Sequence, residues 1–207
     1  ENEQFAEAVE KKTQASFIGP SFEVIKLMGD KIEARKFMQK HSFPIVPGSM
    51  GKLSSFKEVE SLASDIQYPL ILKAAAGGGG RGMRIVEKAS QLQQAYDSCC
   101  REAEVAFGRG DVFCERYLAK PRHIEFQILM DHKGHGVHLY ERDCTIQRRY
   151  QKLIEESPSL FLNEKQRHHY GNLAVEIAKS VGYQGTGTIE FIAEKPDQLY
   201  FMEMNTR

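Results

Sequence analysis

Lys73-Ala74-Ala75-Ala76-Gly77-Gly78-Gly79-Gly80-Arg81-Gly82 is the stretch on which the reading of this 207-residue chain turns. Leu70-Ile71-Leu72 precedes it and Met83-Arg84-Ile85-Val86-Glu87 follows it, two apolar runs of strand length. A strand thus delivers a lysine to a glycine-rich turn that leads into the next strand. Without Cβ atoms such a turn brings several backbone N–H groups close to phosphate oxygens, and the lysine adds a full positive charge. No Gly-Lys-Ser/Thr opens a helix behind it, so this is not the P-loop pattern. Alone, the run fits either a phosphate-binding turn or a hairpin tip without a ligand.

Outward from the turn, helices and strands mix without regular alternation. Ser55-x-x-Glu58 reads as a capping box opening a helix with Phe56, Val59, Leu62, Ala63 and Ile66 on one face, and Ser90-x-x-Gln93 as the cap of another. Val112 to Leu118 reads as a strand closing this unit. Pro44, Pro47, Gly48 and Gly51 before it form a stiff linker, the best domain boundary. Towards the start, Phe5 to Lys12 is helical, Phe17-Ile18-Gly19-Pro20 is a short strand stopped by a turn, and Ser21 caps a helix interrupted at Gly29-Asp30. Towards the end, Ile124, Phe126, Ile128 and Met130 alternate with His123, Glu125, Gln127 and Leu129. Asn163-x-x-Gln166 opens a helix, and Thr188–Ala193 and Leu199–Asn205 are two strands. The pattern predicts an α+β fold rather than a doubly wound sheet.

Two further clusters carry chemistry. If Glu190 pairs opposite Glu203, the connecting loop is 195–198, a common hairpin length, and Asn205 shares the face of Glu203. Two carboxylates and an amide oxygen suit Mg²⁺, although a solvated polar face reads the same way. The run Glu141-Arg142-Asp143-Cys144-Thr145-Ile146-Gln147-Arg148-Arg149-Tyr150-Gln151-Lys152 gathers cations that a sheet tolerates when an anion neutralises them.

Composition excludes several classes. Hydrophobic residues make up 41% and charged residues 27%, values of an ordinary globular chain. Lys plus Arg and Asp plus Glu are both 28, so no basic excess supports a nucleic-acid or anionic-membrane surface. No run approaches the ~18–20 apolar residues of a membrane span. Cys99, Cys100, Cys114 and Cys144 lack C-x-x-C spacing and fit a reducing, cytoplasmic compartment. The chain opens at Glu1 without a signal peptide and stops at Arg207 after a strand-like run, and it reads as a segment of something longer.

Phe17-Ile18-Gly19-Pro20, Leu27-Met28-Gly29-Asp30-Lys31, Lys73 to Met83, Lys120-Pro121-Arg122-His123-Ile124-Glu125, Glu141 to Lys152 and Glu203-Met204-Asn205-Thr206-Arg207 occur in an order that resembles the ATP-grasp region of a biotin carboxylase, across essentially the whole chain. The glycine loop and Glu-x-Asn strand are shared by ATP-grasp enzymes generally, whereas the Glu141–Lys152 run is far more specific. The resemblance implies that residues 1–45 end an N-terminal domain with its connecting helices, 46–117 form a lid, and 118–207 start the C-terminal ATP-grasp domain. ATP lies between the last two in that family.

By the same resemblance, Lys31 and Lys73 hold ATP phosphates, and Gly79 and Gly80 close the lid over them. Glu115, Arg116, Tyr117 and Leu118 form the hinge whose backbone reads the adenine edge, while His123 and Gln147 contact the nucleotide. Lys152 and Arg207 bind bicarbonate, Arg207 also stabilising charge on biotin. Glu190 and Glu203 bind one Mg²⁺ (or Mn²⁺), and Glu203 with Asn205 a second. The implied reaction is attack of bicarbonate on the γ-phosphate of ATP to give carboxyphosphate, then carboxylation of biotin on a carrier protein. Implied partners are a biotin carboxyl carrier protein, a carboxyltransferase component and a second copy in a full-length homodimer, with no nucleic acid and no membrane.

Tyr150 departs from the family, which has a histidine there; a phenol hydrogen-bonds but carries no positive charge at neutral pH. The family's glutamate base for bicarbonate and one arginine of its biotin site lie beyond Arg207. These 207 residues are therefore expected to bind Mg-ATP weakly and not to carboxylate biotin at a useful rate. The lid is expected to move as a body, with Gly77 to Gly82 poorly ordered without nucleotide. Glu155-Glu156-Ser157-Pro158 resembles acyl-CoA carboxylases more than pyruvate carboxylases; an acetyl-CoA carboxylase, serving fatty-acid synthesis, is expected, with a pyruvate or propionyl-CoA carboxylase as the alternative. A carbamoyl-phosphate synthetase is the nearest rival, and the Glu141–Lys152 run argues against it. A non-catalytic nucleotide- or nucleic-acid-binding module around Arg148, Arg149 and Lys152 is opposed by zero net charge and few interleaved aromatics.

Overall fold

The computed structural model of the chain describes residues 2–74, 82–108, 110–149 and 151–207. Gly79, Gly80, most of the glycine run and Tyr150 lie outside the described residues. Two compact units emerge: residues 46–120 with 148–151, and residues 1–45, 121–147 and 152–207. Residues 1–45, expected as the end of a separate domain, thus share a unit with the later strands.

In the 46–120 unit, β1 (Leu70–Ala74) lies between β2 (Met83–Val86) and β3 (Val112–Arg116) in an antiparallel sheet. α4 (Phe56–Ile66) packs against β3, and α5 (Leu92–Phe107) against β1 and β2. Strand alternation turns Leu70 and Leu72 inward among Val59, Val86, Val112 and Cys114. Each such buried aliphatic side chain contributes roughly 1.5–3 kcal/mol. Ser55 caps α4 through Glu58 N at 3.4 Å, but the Glu58 carboxylate accepts from Ser54 N at 2.9 Å, one residue before the expected box. Ser90 does not cap α5. It sits in a 3-10 turn, Ala89–Gln91, whose first carbonyl accepts from Leu92 N and so leads directly into the helix. α5 stops at Gly108, whose φ of +70° is the left-handed cap conformation glycine takes freely.

β3 ends at Arg116 rather than Leu118: Tyr117 N still donates to Pro69 O at 2.9 Å, but Pro69 has no N–H with which to complete the pair. Pro47-Gly48-Ser49, expected as linker, instead runs beside β3. Ser49 N donates to Cys114 O and Arg116 N to Pro47 O, both at 2.8 Å, covering the strand's open edge. Only glycine fits at 48: a Cβ there would stand 2.4 Å from Cys114 O.

The other unit holds a five-stranded sheet in the order β6 (Gln151–Glu156), β5 (Gly136–Arg148), β4 (Arg122–Met130), β7 (Gly185–Lys195), β8 (Gln198–Thr206). One face is apolar. Ile124, Phe126 and Ile128 of β4 and Ile189 and Phe191 of β7 meet α6 (Glu164–Ser180), which carries Tyr170, Ala174 and Ile177. α6 opens with the expected Asn163/Gln166 capping box. α2 (Phe22–Gly29) and α3 (Lys31–Lys40) pack on β8, and α1 (Glu3–Lys12) on α2. Asp30 both ends α2 and caps α3, accepting from Ile32 N at 2.8 Å and Glu33 N at 3.0 Å. The fully buried Glu141 of β5 accepts from Arg167 Nε of α6 at 2.8 and 2.9 Å and from Ser159 N at 3.1 Å, tying strand, helix and the segment between them.

Two expectations change here. Phe17–Pro20 is not a strand; no described strand runs beside it, and Ile18 is almost wholly exposed. Glu190 does face Glu203, but a bulge then pairs Phe191 with Phe201, and a second pairs Lys195 with Gln198. The turn is therefore Pro196-Asp197, shorter than the expected 195–198, and the shift seats Phe201 in the core while Met202 stays partly exposed. No described helix is long and apolar enough to cross a membrane.

Candidate active site

The face of the five-stranded sheet opposite α6 is polar, and its side chains line up by register. Arg142 of β5 lies opposite Glu125 of β4, Glu125 opposite Glu190 of β7, and Glu190 opposite Glu203 of β8, a row across four strands. A second row runs from Gln127 through Thr188 to Asn205. His123 stands two residues before Glu125 on the same face.

Glu190 is the hub. Its Oε1 accepts from Lys152 Nζ at 2.8 Å and from Asn205 Nδ2 at 2.6 Å, and its Oε2 meets His123 Nε2 at 2.7 Å. Burial raises the carboxyl's pKa, but the His123 and Lys152 bonds outweigh it and hold it at about 2. Lys152 also donates to Glu125, whose other oxygen takes Arg142 Nε at 2.6 Å. Burial opposes the Lys152 charge, yet the bonds to Glu125 and Glu190 prevail and lift its pKa above the ordinary lysine value. Arg142 Nη1 donates to Gln127 Oε1 at 3.2 Å. Two cations and two carboxylates thus neutralise one another under little solvent.

Around this hub the remaining expected residues fall at varied distances. Glu203 is less buried and has Lys31 Nζ, at the start of α3, 3.7 Å away. Gln147 Nε2 turns back to Cys144 O at 2.9 Å. Arg207 is exposed, its backbone N donating to Tyr183 Oη at 3.0 Å. In the 46–120 unit, Lys73 Nζ pairs with Glu115 Oε2 at 2.5 Å and lies 5.7 Å from the Phe113 ring centroid. The Arg116 and Tyr117 N–H groups there are already committed to Pro47 O and Pro69 O.

Thus His123, Lys152, Glu190 and Asn205 meet directly, with Glu203 beside them and Lys31 against Glu203. Gln147 and Arg207 make no hydrogen bond or ion pair with that hub among the described residues. Sequence reasoning assigned no role to Glu125 and Arg142. The available signal was the alternation His123, Glu125, Gln127 on one strand face, but only the register shows what that face meets.

For Mg²⁺ the donor set fits. Glu203, the lone pair that His123 leaves on Glu190 Oε2, and the Asn205 amide oxygen, which faces no described donor, are hard oxygens of the kind this ion takes.

A family model described as carbamoyl-phosphate synthase L chain, ATP-binding domain, matches residues 30–207. The 2-oxoglutarate carboxylase small subunit of Hydrogenobacter thermophilus is 51% identical over all of this chain, which covers 44% of that protein. The biotin carboxylase of a Nostoc species is 49% identical over all of the chain and 46% of its own length. Among solved structures, the biotin carboxylase domain dimer of the Hydrogenobacter enzyme, crystallised with MgADP, ADP and bicarbonate, superimposes with a TM-score of 0.88 at 51% identity, over 100% of this chain and 45% of that one. The chain therefore spans less than half the length of the relatives it matches.

Proposed function

Because this chain belongs to the carbamoyl-phosphate synthase L chain ATP-binding family, with an ATP-grasp fold and biotin carboxylases among its relatives, we propose that it forms the ATP-binding part of a biotin carboxylase. The reaction is phosphoryl transfer from ATP to bicarbonate, giving carboxyphosphate, followed by carboxylation of a ring nitrogen of carrier-bound biotin. The observation that carries this reading is the row Arg142–Glu125–Glu190–Glu203 with Lys152 set into it. It places a protonated lysine beside oxygen donors suited to a hard cation, as the joining of two anions requires.

Bound to Glu203, Asn205 and Glu190, Mg²⁺ would neutralise charge on the phosphoryl oxygens. The chain's own residues do the positioning. Lys152, kept protonated by Glu125 and Glu190, holds the bicarbonate anion, and Arg207 contributes an exposed guanidinium. The family resemblance assigns Lys31, Lys73, Gly79 and Gly80 to the nucleotide phosphates and His123, Gln147 and Tyr150 to the nucleotide. In the segment Glu115–Leu118, where the Arg116 and Tyr117 N–H groups are committed, Leu118 N–H is the group we assign to the adenine edge.

ATP cleavage by the intact protein that requires both bicarbonate and biotin is the deciding assay, and cleavage indifferent to bicarbonate would sink the proposal. Lys73→Gln is expected to abolish Mg-ATP binding in calorimetry, and Glu203→Gln to remove its metal dependence. The carboxyl acceptor is a separate question, since one relative is the small subunit of a 2-oxoglutarate carboxylase. An acyl-CoA acceptor, acetyl-CoA first, is favoured over pyruvate by Glu155-Glu156-Ser157-Pro158, while a carrier protein, a carboxyltransferase and a homodimer as partners follow from the family resemblance. Transfer of labelled carboxylate to acetyl-CoA rather than to 2-oxoglutarate checks it.

A further inference from the structure

Beside the carboxylate hub lies a second donor set of different character. His123, Glu125 and Cys144 each offer a ligand atom, and the three atoms lie within 4.8 Å of one another. All three residues are buried, Cys144 completely. With its proton on Nε2, His123 donates to Glu190 Oε2 at 2.7 Å, and Nδ1 then keeps a lone pair. His123 Nδ1 is fully buried and has no hydrogen-bond partner among the described residues, with the residue only 7% exposed. An imidazole whose far nitrogen is held by a carboxylate, with its near nitrogen unused, is the arrangement that metal-ligating histidines share.

We propose that His123 Nδ1, Cys144 Sγ and Glu125 form a binding site for a thiophilic divalent cation such as Zn²⁺, separate from the oxygen-donor set of Glu203, Asn205 and Glu190. Donor softness separates the two sites: a thiolate and an imidazole select zinc-like ions, while Mg²⁺ prefers carboxylate and amide oxygens. Three protein ligands leave one position of a tetrahedral ion open to water or a small anion. Entry of the cation replaces the Cys144 thiol proton, which leaves to buffer, and displaces Lys152 and Arg142 from Glu125. Neither is stranded: Lys152 keeps Glu190 at 2.8 Å, and Arg142 keeps Gln127 at 3.2 Å and Glu155 at 3.7 Å. Thiolate and Glu125 together balance the ion's charge.

Cobalt is the probe, because its bond to a thiolate gives a near-ultraviolet charge-transfer band. In the intact protein held in excess Mg²⁺, Co²⁺ titration is expected to raise that band to saturation at a single equivalent, and added Zn²⁺ to erase it. Cys144→Ser is expected to abolish the band while Mg-ATP affinity and the far-ultraviolet circular dichroism stay unchanged. Cys144→Ala serves where serine disturbs the fold, and Cys99, Cys100 and Cys114 remain as internal controls. His123→Gln, altering a different ligand, is expected to abolish the band as well. No band in the unaltered protein, or an undiminished band in a Cys144 or His123 variant, overturns the proposal.

Discussion

Glu190 concentrates the energetics of the site into one carboxylate. Burial favours its protonated form, but His123 and Lys152 win and hold its pKa at about 2, below the ordinary 4.5. A depressed carboxyl pKa stabilises the fold above the unfolded value, and that stabilisation is lost as pH falls through the folded one. At ~1.4 kcal/mol per pH unit, the shift corresponds to roughly 3 kcal/mol. Urea-unfolding midpoints in metal-free buffer are therefore expected to drop between pH 4.5 and about 2, and Glu190→Gln to flatten that stretch of the curve. Lys152→Gln leaves Glu125 to Arg142 and Glu190 to His123 and Asn205, so the fold should tolerate it. Bicarbonate-dependent ATP cleavage should nevertheless fall about 10²-fold or more in steady-state kinetics, the scale of losing one preorganised charge. His123, Lys152, Glu190 and Asn205 were legible in the sequence because motif and alternation mark them. Arg142 and Glu125 were not: they stand 17 residues apart, and only the β4–β5 register makes them partners.

Secondary elements hold these residues in place through buried polar ties as much as through apolar packing. Arg167 of α6 and Glu141 of β5 form one such tie, with Glu141 wholly excluded from water. Arg167→Ala strands that carboxylate and is expected to destabilise the protein by about 3–5 kcal/mol in denaturant unfolding. Replacing both partners with Arg167→Met and Glu141→Leu should recover much of the loss, because no orphaned charge remains. The Asn163 capping box and the facing of Glu190 by Glu203 could be read from local spacing, since both depend on near neighbours in the chain. The two bulges in the β7–β8 hairpin could not. They follow from which of Phe201 and Met202 the core accepts, a matter of volume that no local pattern records. The same limit explains Phe17–Pro20, whose strand-like composition lacks a described neighbour, and Pro47-Gly48-Ser49, whose linker-like composition found a strand edge to cover.

Across the whole molecule, 28 basic and 28 acidic residues cancel. Long-range attraction to polyanions is then absent, and any affinity for an oligonucleotide in a salt titration is expected to be weak and nearly flat with salt; a steep fall would instead indicate a nucleic-acid surface. The α+β class was legible from the mixed order of elements, and the start of the 46–120 unit from the Pro44–Gly51 stretch, whereas the joining of residues 1–45 to the later strands was not, because contacts between distant segments decide it. That division has a consequence for how the chain is made. Pro44 accepts from Phe201 N at 2.8 Å, Ile45 bridges Phe201, and α2 and α3 rest on β8, the last strand. During synthesis from the N-terminus, residues 46–120 can complete their own sheet while residues 1–45 still lack the strand they rest on. Residues 1–45 thus leave the ribosome before the strand they rest on, and Val24, Ile25 and Met28 lack it until residues 198–206 have been made.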